Sequence, residues 1–174
     1  MELKKVFSER RSVNFFDVTK KIDMRLIEQI YDVAKTCPSS FNLQPWKMIL
    51  VASPENKKKL KEAAFNQLKV EEASAMLILL ADTRGFEEMD EIFDDMVTKG
   101  YQKREAGEGI KEFAKMLYDN SSGCRGFALR NAGLFAMSFM LAAKDFGVDT
   151  HPMDGFEQDK VRTAFNIPDR YEVA

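Results

Sequence analysis

The chain's most distinctive stretch is Pro38-Ser39-Ser40-Phe41-Asn42-Leu43-Gln44-Pro45-Trp46. It combines prolines, serines and side-chain amides, which are residues that favour turns. Pro38 should end the helix before it, because a proline disfavours helical backbone in the preceding residue. The apolar run 48–51 that follows has the length of a buried strand. We therefore interpret 37–45 as a loop that joins a helix to a strand and carries polar side chains.

Helices and strands are predicted on both sides of this loop. Before it, apolar spacing predicts a helix over 2–10, an extended segment over 10–15 and a helix that opens near Asp23. After it we expect strands at 47–52, 74–81, 148–153 and from 171, and helices at 54–65, 85–120, 127–146 and 157–165. Continuous apolarity in the first two strands predicts that both of their faces are covered.

The helix predicted at 127–146 contains the most apolar stretch, Ala132–Ala143. This stretch is shorter than the roughly 20 residues needed to cross a bilayer. Arg130 and Asn131 precede it directly. We therefore predict a helix buried on nearly every side and no membrane partner.

Length and composition exclude several classes of protein. A chain of 174 residues suits one domain. The 26 basic and 28 acidic residues give a net charge of -2, which is not the footprint of a nucleic-acid-binding protein. Two distant cysteines and one histidine make no recognisable metal site. The N-terminus lacks the apolar core of a signal peptide, so we predict a reduced, cytoplasmic protein without a metal.

No residue set forms a convincing nucleophile and base. Cations, hydroxyls and amides instead cluster in four loops, and such groups suit a phosphorylated, planar, hydrogen-bonding ligand. The clusters are Arg10, Arg11, Ser12 and Asn14; Ser39, Ser40, Asn42 and Gln44; Asn66, Gln67 and Lys69; and Pro152, Met153, Asp154 and Gly155.

These clusters resemble the motifs of the nitroreductase family of flavoproteins. The resemblance lies in Arg10-Arg11-Ser12-Val13, the P-S-S-x-N-x-Q-P-W pattern of 38–46, Asn66-Gln67-x-Lys69, and Pro152-Met153-Asp154-Gly155-Phe156. The four motifs occur in the family's order, and a chance match to all four is very improbable.

The resemblance implies an α+β fold in which helices flank a central, mostly antiparallel sheet in an α-β-α sandwich. It implies a single domain over 1–174, with 85–125 as a variable lid. Members form homodimers that bind FMN at the subunit interface. They also continue further, with a completed final strand, basic residues and a C-terminal arm, which we expect to be missing here.

The implied activity is FMN-dependent reduction of a small-molecule acceptor, such as a nitroaromatic, quinone or flavin, with NADH or NADPH as donor in a ping-pong cycle. The cofactor carries this chemistry, so no catalytic side chain is expected. Alternatives are a flavin-binding protein with little turnover, or a relative that dehalogenates its substrate or fragments flavin. A helix-rich module that binds another protein is the alternative without a flavin.

Residue roles follow from the same resemblance. Arg10, Arg11 and Ser12 would hold the FMN phosphate and ribityl chain. Asn14, where many relatives carry a basic residue, would lie near the pyrimidine edge. Ser39, Ser40 and Asn42 would contact the flavin of the partner subunit, and Gln44 would support their loop.

On the ring itself, Asn66 would bind the pyrimidine carbonyl and imide. Lys69 would place a cation near the N1–C2=O edge, where reduction creates negative charge. Pro152, Met153, Asp154 and Gly155 would pack over the ring, with a backbone N–H reaching N5.

Other polar or aromatic residues are assigned structural roles. Trp46 should lie in the core. Lys57-Lys58-Lys59 should form an exposed helix face, and the acidic segment 87–95 a solvated surface. His151 is expected to be structural rather than catalytic.

Overall fold

A three-stranded antiparallel sheet forms the centre of the fold in a computed structural model, which describes residues 2–118 and 121–174. The strands are β1 (Trp46–Val51), β2 (Met76–Asp82) and β3 (Tyr171–Val173), in the order β1-β2-β3. Ile49 pairs with Ile78, and Leu80 pairs with Val173. Positions 1, 119 and 120, which belong to the predicted domain and lid, lie outside the described residues.

Helices account for most of the remaining regular structure. They are α1 (Leu3–Glu9), α2 (Met24–Ala34), α3 (Pro54–Ala63), α4 (Lys69–Glu72), α5 (Met89–Thr98), α6 (Gly107–Leu117), α7 (Ser121–Asp145) and α8 (Gln158–Ala164). The Asp23 side chain caps α2 by accepting from Arg25 N, and the Ser53 hydroxyl caps α3 by accepting from Asn56 N.

Alternate residues of β2 point to opposite faces of the sheet and join two separate cores. Ile78 and Leu80 pack with residues of α3 and α8. Leu77 and Leu79 pack with residues of α2 and α7. Helices therefore cover both faces of the antiparallel sheet, and the predicted α-β-α sandwich is confirmed.

Helix α7 is long and apolar enough to cross a membrane by length and composition alone. In the fold it packs on β2 and α2, with Ala132, Phe135 and Ala143 buried. Its opposite side is open, since Gly133 is exposed and Leu134 is 44% exposed. The prediction of a helix buried on nearly every side is therefore wrong for a single chain.

Two predictions about strands are also wrong. No strand forms at 148–153, where Thr150 makes only an isolated parallel bridge to Ser12. Pro152 has no N–H to extend such a pairing. In β1, Lys47 and Leu50 are exposed, because this outer strand is not covered along its whole length.

Candidate functional site

The ammonium group of Lys69, the first residue of α4, joins two of the predicted polar segments to each other and to His151. Lys69 Nζ donates to Asn14 Oδ1 at 2.9 Å and lies 3.2 Å from His151 Nε2. His151 Nδ1 lies 2.9 Å from the Val13 carbonyl oxygen. Val13 N in turn donates to the Thr150 carbonyl at 3.1 Å. Residues 12–14, 69 and 150–151 therefore form one hydrogen-bonded unit, which we call the Lys69 cluster.

Gln67 extends this unit to the loop after His151. Its Nε2 donates to the Gly155 carbonyl oxygen at 2.8 Å. A Cβ at Gly155 would lie 3.2 Å from Gln67 Nε2, so this approach favours glycine. The structure thus brings the 152–155 loop beside 66–69.

The position of Asn66 follows from the way α3 ends. Asn66 N donates to the Lys61 carbonyl at 3.0 Å, a bond that closes a helix C-terminus. Phe65 and Asn66 have φ of 52° and 57°, in the left-handed region. Asn66 is exposed, so the turn presents its amide to solvent.

Two substitutions separate the backbone role of Asn66 from its side-chain role. Asn66→Ala should lower the free energy of unfolding by about 1 kcal/mol, because asparagine tolerates positive φ through local hydrogen bonds of its side chain and alanine does not. Asn66→Gly should retain stability, because glycine adopts that backbone freely. Urea unfolding measures both values, and equal losses for Ala and Gly would contradict a strained backbone at this position.

Lys57 fixes the far end of α4. It is only 7% exposed, and its Nζ donates to the carbonyls of Glu71 at 2.7 Å and Ala73 at 2.8 Å. Burial lowers the pKa of Lys57, and Lys21 adds to this effect while Glu71 opposes it. The prediction of an exposed face is therefore wrong for Lys57, which lies three residues before the buried Leu60 on the inner side of α3.

The two arginines lie at the start of the segment that reaches the Lys69 cluster. Arg11 Nη1 donates to the Arg10 carbonyl at 2.7 Å. Arg10 is half-buried, and no hydrogen bond or ion pair joins its guanidinium to another residue of the described part of the chain. Its donors are therefore available to an anion.

The loop around Ser39 and Ser40 is attached to a different part of the molecule. Asn131 of α7 is 1% exposed, and its Oδ1 accepts from Ser40 N at 2.9 Å. Phe41 and Leu43 pack into a cluster with α5, α6 and α7. The structure therefore holds the loop that contains Ser39, Ser40 and Asn42 against α5, α6 and α7 rather than in the Lys69 cluster.

Backbone strain is concentrated in this loop as well. Phe41, Asn42 and Gln44 have φ of 54°, 57° and 46°. Gln44 supports the loop from within, since its N donates to Ser39 Oγ at 3.0 Å and its Nε2 donates to Asn42 Oδ1 at 3.2 Å. Five of the six non-glycine residues with positive φ in the described chain lie in this loop or at 65–66. Such clustering is typical of binding sites.

Asn131 should be needed to hold this loop. Asn131→Ala leaves the part-buried donor Ser40 N without its partner and removes the side-chain bond to the Phe127 carbonyl, so it should lower the free energy of unfolding by about 2 kcal/mol. Asn56→Ala, at an exposed position of α3, is the control and should change it by less than about 0.5 kcal/mol. Similar losses in the two variants would show that Asn131 does not anchor the loop.

Nearly the whole chain matches one family of proteins. The profile of the Nitroreductase family matches residues 7–174. The chain belongs to the nitroreductase family. The resemblance drawn from four short motifs is thereby confirmed.

Individual nitroreductase-family proteins are similar over almost all of this chain. The Bacillus subtilis protein named "Putative NAD(P)H nitroreductase MhqN" is 34% identical over 174 residues, which are 99% of this chain and 84% of that protein. The crystal structure of ydfN from the same organism has a TM-score of 0.93 at 33% identity and the same two coverages. A nitroreductase-family structure from Exiguobacterium sibiricum in complex with FMN has a TM-score of 0.90 at 32% identity, covering 99% of this chain and 84% of that one.

Proposed function

We propose that this protein is an FMN-dependent oxidoreductase that takes reducing equivalents from NADH or NADPH and reduces a small acceptor, such as a nitroaromatic, quinone or flavin, in a ping-pong cycle. The observation that carries the proposal is the Lys69 cluster. An ammonium group has three N–H donors, and Asn14 and His151 accept two of them. The third is left for a ligand. The FMN complex of the Exiguobacterium relative supports the choice of cofactor.

The donor set fits FMN in both charge and hydrogen bonding. Arg10 and Arg11 would hold the phosphate with the Ser12 hydroxyl, through charge-assisted bonds. The exposed amide of Asn66 can donate and accept at the pyrimidine carbonyl and imide. Met153, half-buried against the α3–α8 core, would fix the loop of Pro152, Asp154 and Gly155 over the ring.

FMN, when bound, supplies the hydride chemistry of the reaction. Lys69 would stabilise the negative charge that develops at the N1–C2=O edge during reduction. The amide oxygen of Asn14 accepts from Lys69 and orients its ammonium. The chain's own contribution is therefore to bind, to orient and to provide a fixed positive charge.

A homodimer accounts for the location of the second strained loop. Ser39, Ser40 and Asn42 lie outside the Lys69 cluster, and in the proposed dimer they would contact the flavin of the partner subunit. The exposed apolar side chains Phe15, Val18 and Leu134 would be covered in such a dimer. Light scattering should give twice the chain mass of 19.9 kDa. A monomer that binds FMN and allows NADH or NADPH to reduce it would contradict this arrangement.

The acceptor would enter beside the lid, for which we propose residues 85–125 of a single domain over 1–174. A cavity of about 160 Å³ lies there, lined by Phe41, Met89, Phe93, Met96, Gln102 and Ile110. This lining favours an apolar acceptor. The "CLA biosynthesis enone reductase" of Lactiplantibacillus plantarum is 28% identical, over 98% of this chain and 81% of that protein. An electron-poor C=C bond is therefore a second class of acceptor.

Anaerobic reduction tests this function. Protein loaded with FMN should lose its flavin absorbance near 450 nm when NADH or NADPH is added, and a nitroaromatic, quinone or enone should restore it. Bound flavin that neither donor bleaches would overturn the proposal in favour of a flavin-binding protein with little turnover. The proposed location is the cytoplasm, where both donors are available.

A further inference from the structure

We propose that His151 is a positioning residue: as the neutral Nδ1–H tautomer, it provides the fixed acceptor that holds the Lys69 ammonium at the ligand. The inference rests on the proposed function, because it assigns His151 a task at the proposed flavin site. The sequence motifs do not point to this task, and the resemblance to the family gives His151 none.

The contacts of the two ring nitrogens define the tautomer. Nδ1 lies 2.9 Å from the Val13 carbonyl oxygen, which can only accept a hydrogen bond, so Nδ1 must carry the proton. Nε2 lies 3.2 Å from Lys69 Nζ, which as an ammonium can only donate. Both contacts are satisfied when the ring is neutral and its Nε2 lone pair faces Lys69. Doubly protonated imidazolium would place two cations against each other.

The imidazole is a more rigid support for Lys69 than its other acceptor. Asn14 is exposed, and no second hydrogen bond among the described residues restrains its amide. The other ring nitrogen of His151 is held by the Val13 carbonyl. A second bond, from Val13 N to the Thr150 carbonyl, fixes the two backbone segments beside each other. Lysine has a long, flexible side chain, so an anchored acceptor reduces the positions available to its charge.

The rival interpretation is that His151 only joins Val13 to the 150–155 segment through Nδ1. Two amide substitutions separate these roles, because each reproduces one ring nitrogen. In His151→Gln the side-chain oxygen can reach the position of Nε2 and accept from Lys69. In His151→Asn the side-chain NH₂ lies near the position of Nδ1 and can donate to Val13, but nothing accepts from Lys69.

We expect His151→Asn to bind FMN within about threefold of the wild type but to be reduced by NADH about tenfold more slowly, because one charge-assisted contact is lost. His151→Gln should restore most of that rate. The double variant Lys69→Met/His151→Asn should be no slower than Lys69→Met alone, since the two residues act as a unit. A slow Gln variant with a normal Asn variant, or additive losses in the double variant, would overturn the proposal.

A measurement without cofactor keeps this inference separate from the proposed function. His151 is the chain's one histidine, so its ring nitrogens can be assigned directly by ¹⁵N NMR of the apoprotein at pH 8. The Nδ1–H tautomer is expected, and a predominant Nε2–H tautomer would contradict the proposal. If the expected tautomer is present but FMN does not bind, the proposed function fails, whereas the tautomer that leaves Nε2 able to accept from Lys69 is retained.

Discussion

Lys69→Met is expected to slow the anaerobic reduction of bound FMN by NADH about a hundredfold, while FMN affinity falls by less than about tenfold. Removing one preorganised donor from the position where negative charge develops costs about 10²–10³ in rate in other enzymes. Lys69 suits this role because Asn14 and His151 orient its ammonium and leave one N–H for the ligand. Stopped-flow absorbance at 450 nm gives the rate, and fluorescence titration gives the affinity.

Lys58→Met is the matched control for that experiment. Lys58 is exposed on α3, and the same substitution there removes one positive charge that makes no hydrogen bond to the Lys69 cluster. Its reduction rate should stay within about twofold of the wild type, because exposed charges act weakly over distance. Equal rates in the Lys69 and Lys58 variants would remove Lys69 from its proposed role.

Asp82→Ala is expected to cause the largest loss of stability, about 3–5 kcal/mol in the free energy of unfolding. Asp82 is only 4% exposed. Its carboxylate accepts hydrogen bonds from Arg170 Nε at 2.9 Å, Arg170 Nη2 at 2.6 Å and Arg84 N at 2.9 Å. Its hydrogen bond with Arg170 raises the pKa of that guanidinium. The alanine variant would leave Arg170 and Arg84 N without this partner, at the point where β3 joins β2.

The control for this prediction is an exposed ion pair. Asp94 and Arg104 lie 3.1 Å apart with both side chains mostly exposed, so Asp94→Ala should cost less than about 1 kcal/mol. Urea unfolding at one protein concentration compares the two variants. A loss at Asp82 no larger than that at Asp94 would show that the Asp82–Arg170 pair does not stabilise the junction of β2 and β3.

Local sequence signals were sufficient for most elements of the fold. The helical spacing before Pro38 and the Asp23 cap predict α2, and the apolar runs predict β1 and β2 within two residues of their observed ends. The strand wrongly predicted at 148–153 shows what such signals lack, which is the pairing partner. The 148–153 segment has strand-like residues, but it meets only a single bridging partner at Ser12, which its own sequence does not reveal.

The sequence predicted which segments carry the candidate site, but it did not predict which of their side chains contact one another. The motifs indicated Asn14, Asn66 and Lys69, but they did not show that Asn14 is an acceptor for Lys69. His151 and Asn131 were missed as site residues because their partners, Val13 and Ser40, lie 138 and 91 residues away. The burial of Lys57 could have been predicted from the sequence, because Lys57 lies one helical turn before the apolar Leu60 on the same side of α3.

Titration of FMN with the purified protein tests the central claim most directly, because every proposed role depends on flavin binding. The flavin fluorescence should change to saturation at one FMN per chain, with a dissociation constant in the micromolar range or below. Arg10→Gln should weaken binding about tenfold or more, as expected for the loss of a charge-assisted phosphate contact. Fluorescence that stays unchanged at micromolar FMN and excess protein would contradict the account.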